Sequence, residues 1–177
     1  MCIRDRSLSI GKVKCFYGNF LVALRAAVYI DTLGAEGIKD AAQKAVLNAN
    51  YLMEGLKEFY PVAYDRVCMH EFVLTLENLK HEKGVSAMDV AKAMLDYGIH
   101  PPTMYFPLIV HEDLMFEPTE TETKETLDEA IRVLGEIRQI AEKDAQSLHE
   151  APHRTIIGRV DEVRAARQPV LKYAFND

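Results

Sequence analysis

Signals of several protein classes are missing from this sequence of 177 residues. It has no tryptophan, and its three cysteines, Cys2, Cys15 and Cys68, form no C-x-x-C pair. This argues against a disulfide framework and a structural zinc site and favours a reducing, cytoplasmic location. The longest apolar run, Phe20 to Ile30, is interrupted by Arg25 and is shorter than the roughly 20 residues that a membrane span requires. We therefore expect no membrane partner.

The charge balance and motif content exclude further classes. A net charge of -6 gives no basic footprint for nucleic acid. There is no G-x-G-x-x-G sequence, no Walker loop and no G-x-S-x-G sequence, so nucleotide binding and nucleophilic hydrolysis have no support. Four His-Glu dipeptides occur, but none continues as H-E-x-x-H, and we predict no metal site.

Apolar periodicity predicts several helices. A buried helix begins at an Asn19 cap and stops at Gly34. Next comes a long amphipathic helix, Glu36 to Tyr60, which packs one face. Ser86 and Asp89 have the spacing of a capping box at the start of a third helix, which ends at Gly98. The remaining helical segments are a long helix from the acidic run at Glu120 to Leu148 and a short one at Val160 to Arg167.

Alternating apolar residues predict the strands. His70 to Glu77 has the strand period, and the short apolar segments Tyr105 to Val110 and Leu114 to Phe116 are typical of a hairpin or bent strand pair. The segregation of helices from strands predicts an α+β fold with a small, mostly antiparallel sheet.

The stretch from Asp96 to Glu122 is the best candidate for a functional site. Its polar residues could form a small pocket, and they are His100, Thr103, Tyr105, Glu117, Thr119 and Glu120. A structural alternative also stands, in which Thr119 or Thr121 caps the next helix and Tyr105 lies in the core. Arg25 is a separate candidate, because a guanidinium inside an apolar helix must pair with a protein or substrate carboxylate.

Six segments, in order, resemble the glycine cleavage system P-protein family, the decarboxylating glycine dehydrogenases, and specifically the C-terminal part of its separate second subunit. They are SIGKVKCFYGNF from Ser9, TLGAEGIKDAAQKAVLNANYL from Thr32, CMHEFVLT from Cys68, DVAKAMLDYGIHPPTMYFPLIV from Asp89, LMFEPTETETKETLD from Leu114 and APHRTIIGRVDEVRAARQPVLKY from Ala151. The AAR-x-PVL ending favours the two-subunit form.

The resemblance implies a fold and a reaction. The fold is the small C-terminal α+β domain of a fold type I pyridoxal phosphate enzyme. The implied reaction decarboxylates glycine on pyridoxal phosphate and passes the aminomethyl group to the lipoyl arm of the H-protein. The implied partners are glycine dehydrogenase subunit 1, in a heterotetramer, the lipoyl H-protein, and glycine as substrate.

The resemblance also marks what this sequence lacks. The family's Schiff-base lysine follows a histidine and precedes a glycine-rich run, and no lysine here has that context. We therefore expect a C-terminal fragment without the cofactor lysine or phosphate site, inactive alone. The expected divisions are a non-native leader at residues 1–8, linking helices at 9–60, an α+β domain at 61–150 and a tail at 151–177.

Motif matching assigns secondary roles only. The residues that match family motifs, and that we expect to shape the substrate or lipoyl side of the pocket, are His70, His100, Thr103, Glu117, Thr119 and Glu120. Arg25 remains a candidate on residue chemistry alone. Two alternatives remain open: a non-catalytic α+β binding or interaction module, and a part of another fold type I pyridoxal phosphate enzyme.

Overall fold

The computed structural model describes residues 18–172 together with Leu8, Gly11 and Phe175. The suspected leader, apart from Leu8, therefore lies outside the described residues. The chain divides into two compact units, residues 1–40 and 41–177. Within the described part, no helix combines the length and the apolar character needed to cross a bilayer.

Six helices and three strands make up the described fold. They are α1 Phe20–Leu56, β1 Phe72–Thr75, α2 Glu77–Lys83, α3 Ala87–Leu95, β2 Thr103–Met104, β3 Asp113–Phe116, α4 Lys124–Lys143, α5 Ala145–Glu150 and α6 Glu162–Arg167. The strands form one antiparallel sheet in the order β1-β3-β2. The predicted α+β class and small antiparallel sheet are confirmed.

The first unit contains the start of α1. The predicted cap is confirmed, because the amide of Val22 donates to Oδ1 of Asn19 at 3.3 Å. Gly34 has a φ of 64° and interrupts the helix as a kink. The prediction of a buried helix is wrong for this chain, since Phe20 is 74% and Ile30 57% exposed. An apolar helix surface indicates that the helix packs against something, but it does not show that the packing partner is part of this chain.

The second unit has one apolar core. The predicted inward face of the long helix is confirmed for Ala49, Met53 and Leu56, all buried at the end of α1. These residues share the core with the inner face of the sheet, where the rings of Phe72 and Phe116 stack at 5.5 Å.

Two acidic residues at the ends of α3 position the tail. The capping box is confirmed: the amide of Asp89 donates to Oγ of Ser86 at 3.2 Å, and the amide of Ser86 donates to Oδ2 of Asp89 at 2.9 Å. The buried Asp89 carboxylate also accepts from Nη2 of Arg159 at 2.7 Å. At the other end, the Asp96 carboxylate accepts from the amide of Arg154 at 2.6 Å. The tail is therefore bound to both ends of α3. The short helix predicted within the tail is confirmed as α6.

The predicted strand Tyr105 to Val110 is wrong. In this part of the chain only the two-residue β2 pairs with β3, and the chain leaves the sheet at Tyr105, whose φ is 57°. Pro107 follows and has no amide hydrogen for a ladder. The apolar side chains in this loop are largely exposed, with Leu108 81% exposed. The apolar composition of this loop is typical of a half-buried strand, but composition alone does not show which direction the backbone takes.

The other boundary errors come from short polar segments. The strand predicted to reach Glu77 ends at Thr75, and the unpredicted α2 follows, burying only Leu79. The long final helix is divided at Asp144, which caps α5. Its start is capped by Thr123, not by Thr119 or Thr121. Those two hydroxyls instead bond each other at 2.7 Å.

The end of α1 packs closely against α4 at two contacts, and each helix contributes a glycine to one of them. A Cβ on Gly55 would overlap Cδ1 of Ile131, and a Cβ on Gly135 would lie 2.9 Å from Cζ of Phe59. The hydroxyl of Tyr60 donates to the carbonyl of Leu134 at 2.9 Å in the same region. The contacts advance in the same direction along both segments, so α1 and α4 pack in parallel.

We predict that Gly55→Ala destabilises the chain by about 1–3 kcal/mol, because the added methyl overpacks the contact with Ile131. Helix propensity alone would favour alanine by up to about 1 kcal/mol. The measurement is urea unfolding of the two single variants and the double variant with Ile131→Ala. In the Ile131→Ala background the cost of Gly55→Ala should largely disappear. A stabilising effect of Gly55→Ala in the native background would contradict this packing.

Candidate functional site

A groove of about 860 Å³ lies between the end of α3, strands β2 and β3, and the start of α4. Its floor includes the buried side chains of Leu52, Met94, Phe116 and Leu127. Polar side chains surround this floor. The groove therefore offers an apolar base to a ligand and a hydrophilic rim to solvent.

Strand pairing brings the two predicted motifs together at this groove. Thr103 in β2 is paired with Met115 in β3, and Glu117 follows two residues later. The structure places His100, Thr103, Glu117 and Thr119 along the groove. Four of the predicted site residues thus lie together, although the two motifs are separated in sequence.

The other four candidates, His70, Tyr105, Glu120 and Arg25, lie elsewhere. Glu120 follows Thr119 but does not line the groove. His70 lines a second groove of about 660 Å³ beside Phe106 and Pro107. Arg25 is exposed and belongs to the first unit, so the expectation of a buried guanidinium is wrong here. Tyr105 is 41% exposed, which also excludes a core position.

Residue-level reasoning missed the acidic side of the groove. Glu122, Glu125 and Glu129 line it together with Glu117, and no lysine or arginine lies among its lining residues. The spacing of three and four between these glutamates could have indicated one helix face. As a sequence pattern, this acidic run predicts only a favourable charge at a helix N-terminus.

Two glutamates of this rim, Glu125 and Glu129, have lowered pKa values. The pKa of Glu125 is lowered by its own backbone amide and by the Thr123 hydroxyl. The pKa of Glu129 is lowered by its hydrogen bond from Arg132. An anionic rim over an apolar floor suits an elongated apolar ligand that carries a positive group.

The lining residues do not fit the phosphate of pyridoxal phosphate. A phosphate needs cationic side chains or a free helix N-terminus. No Lys or Arg side chain of the described residues lines this groove, and the first turn of α4 carries the carboxylate of Glu125. Among the described residues, no group of three or more His, Cys, Asp and Glu side chains could hold a metal ion.

Asp113 is an electrostatic anomaly at the end of β3 away from the groove. Its side chain is fully buried at the start of β3. Within the described part of the chain, neither carboxylate oxygen has a partner in hydrogen-bonding geometry. Burial raises the pKa of Asp113, the backbone amides of Asp113 and Phe106 oppose this increase, and the charge of Glu112 adds to it. The ionised form is therefore a cost that the folded chain carries.

The comparisons with known proteins identify the family. The profile of the family described as "Glycine dehydrogenase, C-terminal domain" matches residues 41–156. The chain belongs to this family. The match covers the whole of the 860 Å³ groove, including both motifs that resemble the family.

Curated relatives of this glycine dehydrogenase domain are named "Probable glycine dehydrogenase (decarboxylating) subunit 2". The one from Treponema denticola is 61% identical over 169 residues, covering 96% of this chain and 35% of the relative. The one from Caldanaerobacter subterraneus subsp. tengcongensis is 58% identical over 170 residues, covering 96% and 35%. The chain thus spans about a third of the length of these relatives. The predicted family and its second subunit are confirmed as the proteins that this chain resembles.

A solved structure supports the fold of this domain. It is a crystal structure of glycine decarboxylase, the P-protein of the glycine cleavage system, in inhibitor-bound form. The TM-score is 0.59 at 26% identity, over 70% of this chain and 28% of that protein. The expected α+β domain of the P-protein is therefore confirmed as the fold.

We predict that Asp113→Asn stabilises the chain at neutral pH by on the order of 1 kcal/mol, because it removes a buried, unpaired charge. The folded pKa lies above the unfolded value near 3.9, so the native chain loses stability as pH rises from that value through the folded pKa. The advantage of the variant should open over this window and persist above it. Urea unfolding as a function of pH measures it.

Glu58→Gln, at an exposed position, is the control for this charge removal. It should leave the pH dependence of unfolding close to that of the native chain. An Asp113→Asn variant that is less stable than the native chain at pH 7 would show that the carboxylate has a stabilising partner.

Proposed function

We propose that this domain serves a glycine dehydrogenase (decarboxylating) subunit 2 in the glycine cleavage system, and that its 860 Å³ groove is one wall of the path of the lipoyl arm of the H-protein. The whole reaction decarboxylates glycine and passes the aminomethyl group to that arm. Subunit 1, in a heterotetramer, and the H-protein are its partners, in the cytoplasm. Pyridoxal phosphate, when bound to the complete enzyme, supplies the electron sink for decarboxylation.

The observation that carries this proposal is the convergence of the two family motifs at one groove. His100 and Thr103 come from one motif and Glu117 and Thr119 from the other, and β2–β3 pairing brings them together. Motifs that meet only in space are expected at a ligand-binding wall. The other two candidates, His70 and Glu120, do not line this groove, and we assign them no contact with the arm.

The size and polarity of the groove favour the lipoyl arm over glycine. Glycine has two carbons and would leave most of an 860 Å³ groove unfilled. The lipoyl chain is long and aliphatic, so Leu52, Met94 and Leu127 can bury its methylenes, a favourable transfer from water. After the reaction the arm carries an ammonium group, which the glutamates of the rim attract.

The chemistry of the groove also limits its role. Its described lining offers neither a lysine for a Schiff base nor a cationic site for the cofactor phosphate. The groove residues therefore bind and orient the arm and exclude water from its apolar length. The chemical centre of the complete enzyme lies outside this wall.

We predict that Thr103→Tyr, introduced into the complete subunit 2 assembled with subunit 1, raises the KM for lipoylated H-protein about tenfold or more, because the added ring fills the groove. The KM for glycine should change less than twofold. Steady-state assays of glycine-dependent carbon dioxide release, with H-protein and glycine varied in turn, measure both constants.

Glu71→Tyr is the matched control, since it places the same ring in the second groove. It should leave the KM for H-protein within twofold of the native value. Equal effects of the two tyrosines, or none from Thr103→Tyr, would remove the groove from the path of the arm. No glycine-dependent release by the native assembly would overturn the enzymatic function and favour a non-catalytic binding module.

A further inference from the structure

One side chain of α1 holds the acidic wall of the groove. The Nδ2 atom of Asn48 donates to the carbonyl of Thr119 at 2.8 Å and to the carbonyl of Glu122 at 3.1 Å. The amide of Glu122 also donates to the carbonyl of Thr119, at 3.2 Å, and closes a turn there. Asn48 thus joins α1 to both ends of this turn, which carries two lining residues of the groove.

The chemistry of this contact requires a carboxamide. Both partners are carbonyl oxygens, which only accept hydrogen bonds, and the NH₂ group of asparagine supplies two donors from one atom. Aspartate has nearly the same shape but only acceptors when ionised, so it would place a carboxylate against two carbonyls. The identity of residue 48 is therefore specified by the turn that it holds.

Asn48 also has a fixed relation to the floor of the groove. Leu52 lies four residues further along α1, on the same helix face, and it is a buried floor residue. Tyr51, three residues from Asn48, donates from its hydroxyl to the carboxylate of Asp128 on α4. One turn of α1 therefore contacts the floor, the turn after β3 and the helix that follows it.

A second asparagine provides a contrast on the same helix. Nδ2 of Asn50 donates to the carbonyls of Val46 and Cys68, each at 2.8 Å, and its Oδ1 accepts from the amide of Cys68 at 3.0 Å. Cys68 lines the second groove, beside His70. Two residues along a helix correspond to a rotation of about 200°, so Asn48 and Asn50 hold different walls.

We propose that Asn48 is a positioning residue that fixes the Thr119–Glu122 turn against the Leu52 floor and so sets the width of the groove. The proposal rests on the function proposed above, in which the groove receives the lipoyl arm. Without the two hydrogen bonds of Asn48, the turn moves relative to the floor and the arm binds less tightly. The residue contacts no reacting atom, and its effect reaches the arm through Thr119 and Glu122.

The test compares Asn48→Asp with Asn50→Asp in the complete subunit 2 assembled with subunit 1. Each substitution removes two donated hydrogen bonds from the same helix, so the two variants are matched in chemistry. For Asn48→Asp we expect the KM for H-protein to rise about tenfold while kcat and the KM for glycine change less than twofold. Asn50→Asp should leave all three within twofold. Asn48→Ala, which removes the donors without adding a charge, should change the KM for H-protein in the same direction and serves if the aspartate variant does not fold.

A second measurement on the 177-residue chain itself is independent of catalysis. Hydrogen exchange of the Glu122 amide, which donates to the carbonyl of Thr119, should be at least tenfold faster in Asn48→Asp and unchanged in Asn50→Asp. Unchanged exchange in Asn48→Asp would overturn the positioning role even if the native assembly proved inactive. Equal increases in the KM for H-protein from both variants, or a lowered melting temperature with no change in KM, would also overturn it.

Discussion

The parallel contact between the end of α1 and α4 is the constraint on which the shape of the groove depends. Gly55 lets Ile131 approach the backbone of α1, and Gly135 lets Phe59 approach the backbone of α4. The buried Tyr60 then adds its hydrogen bond to Leu134. Because protein interiors are close-packed, a side chain added at either glycine must move one segment relative to the other. The floor of the groove takes Leu52 from α1 and Leu127 from α4, so its shape follows from this contact.

Much of the fold could be predicted because its signals are local. The Asn19 cap and the Ser86–Asp89 box follow from side chains three residues apart. The inward face at Ala49, Met53 and Leu56 follows from helical periodicity. These features do not depend on distant parts of the chain, so the sequence alone carries them.

The errors arose where distant contacts decide the structure. The apolar loop after Tyr105 has the composition of a strand, but its backbone direction is set by a positive φ and by a proline that cannot join the ladder. The start of α1 is apolar but exposed. An apolar pattern predicts that a helix is buried, but it does not show which residues bury it. At the site, motif matching found the residues near β2 and β3 but not Asn48. Its role appears only when the turn 71 residues away is in place.

In the proposed function, the groove divides the work of the reaction between this domain and the remainder of the complete enzyme. It has an apolar floor and a rim of carboxylates, and it lacks the cationic groups that a cofactor phosphate requires. Such a surface suits a long apolar arm with a positive end, and the proposed function leaves bond breaking to the cofactor. The family match favours glycine dehydrogenase over other fold type I enzymes. The proposed function adds a binding role for the groove within that enzyme.

Site-specific photo-crosslinking tests this account most directly. A benzophenone amino acid would replace Thr103 in the complete subunit 2, and the assembly would be irradiated with lipoylated H-protein. The account predicts a crosslink to the lipoyl-bearing peptide that is lost when the H-protein lacks its lipoyl group. The same amino acid at Glu71 should give no such product. A lipoyl-dependent crosslink from Glu71 and none from Thr103 would contradict the placement of the arm in this groove.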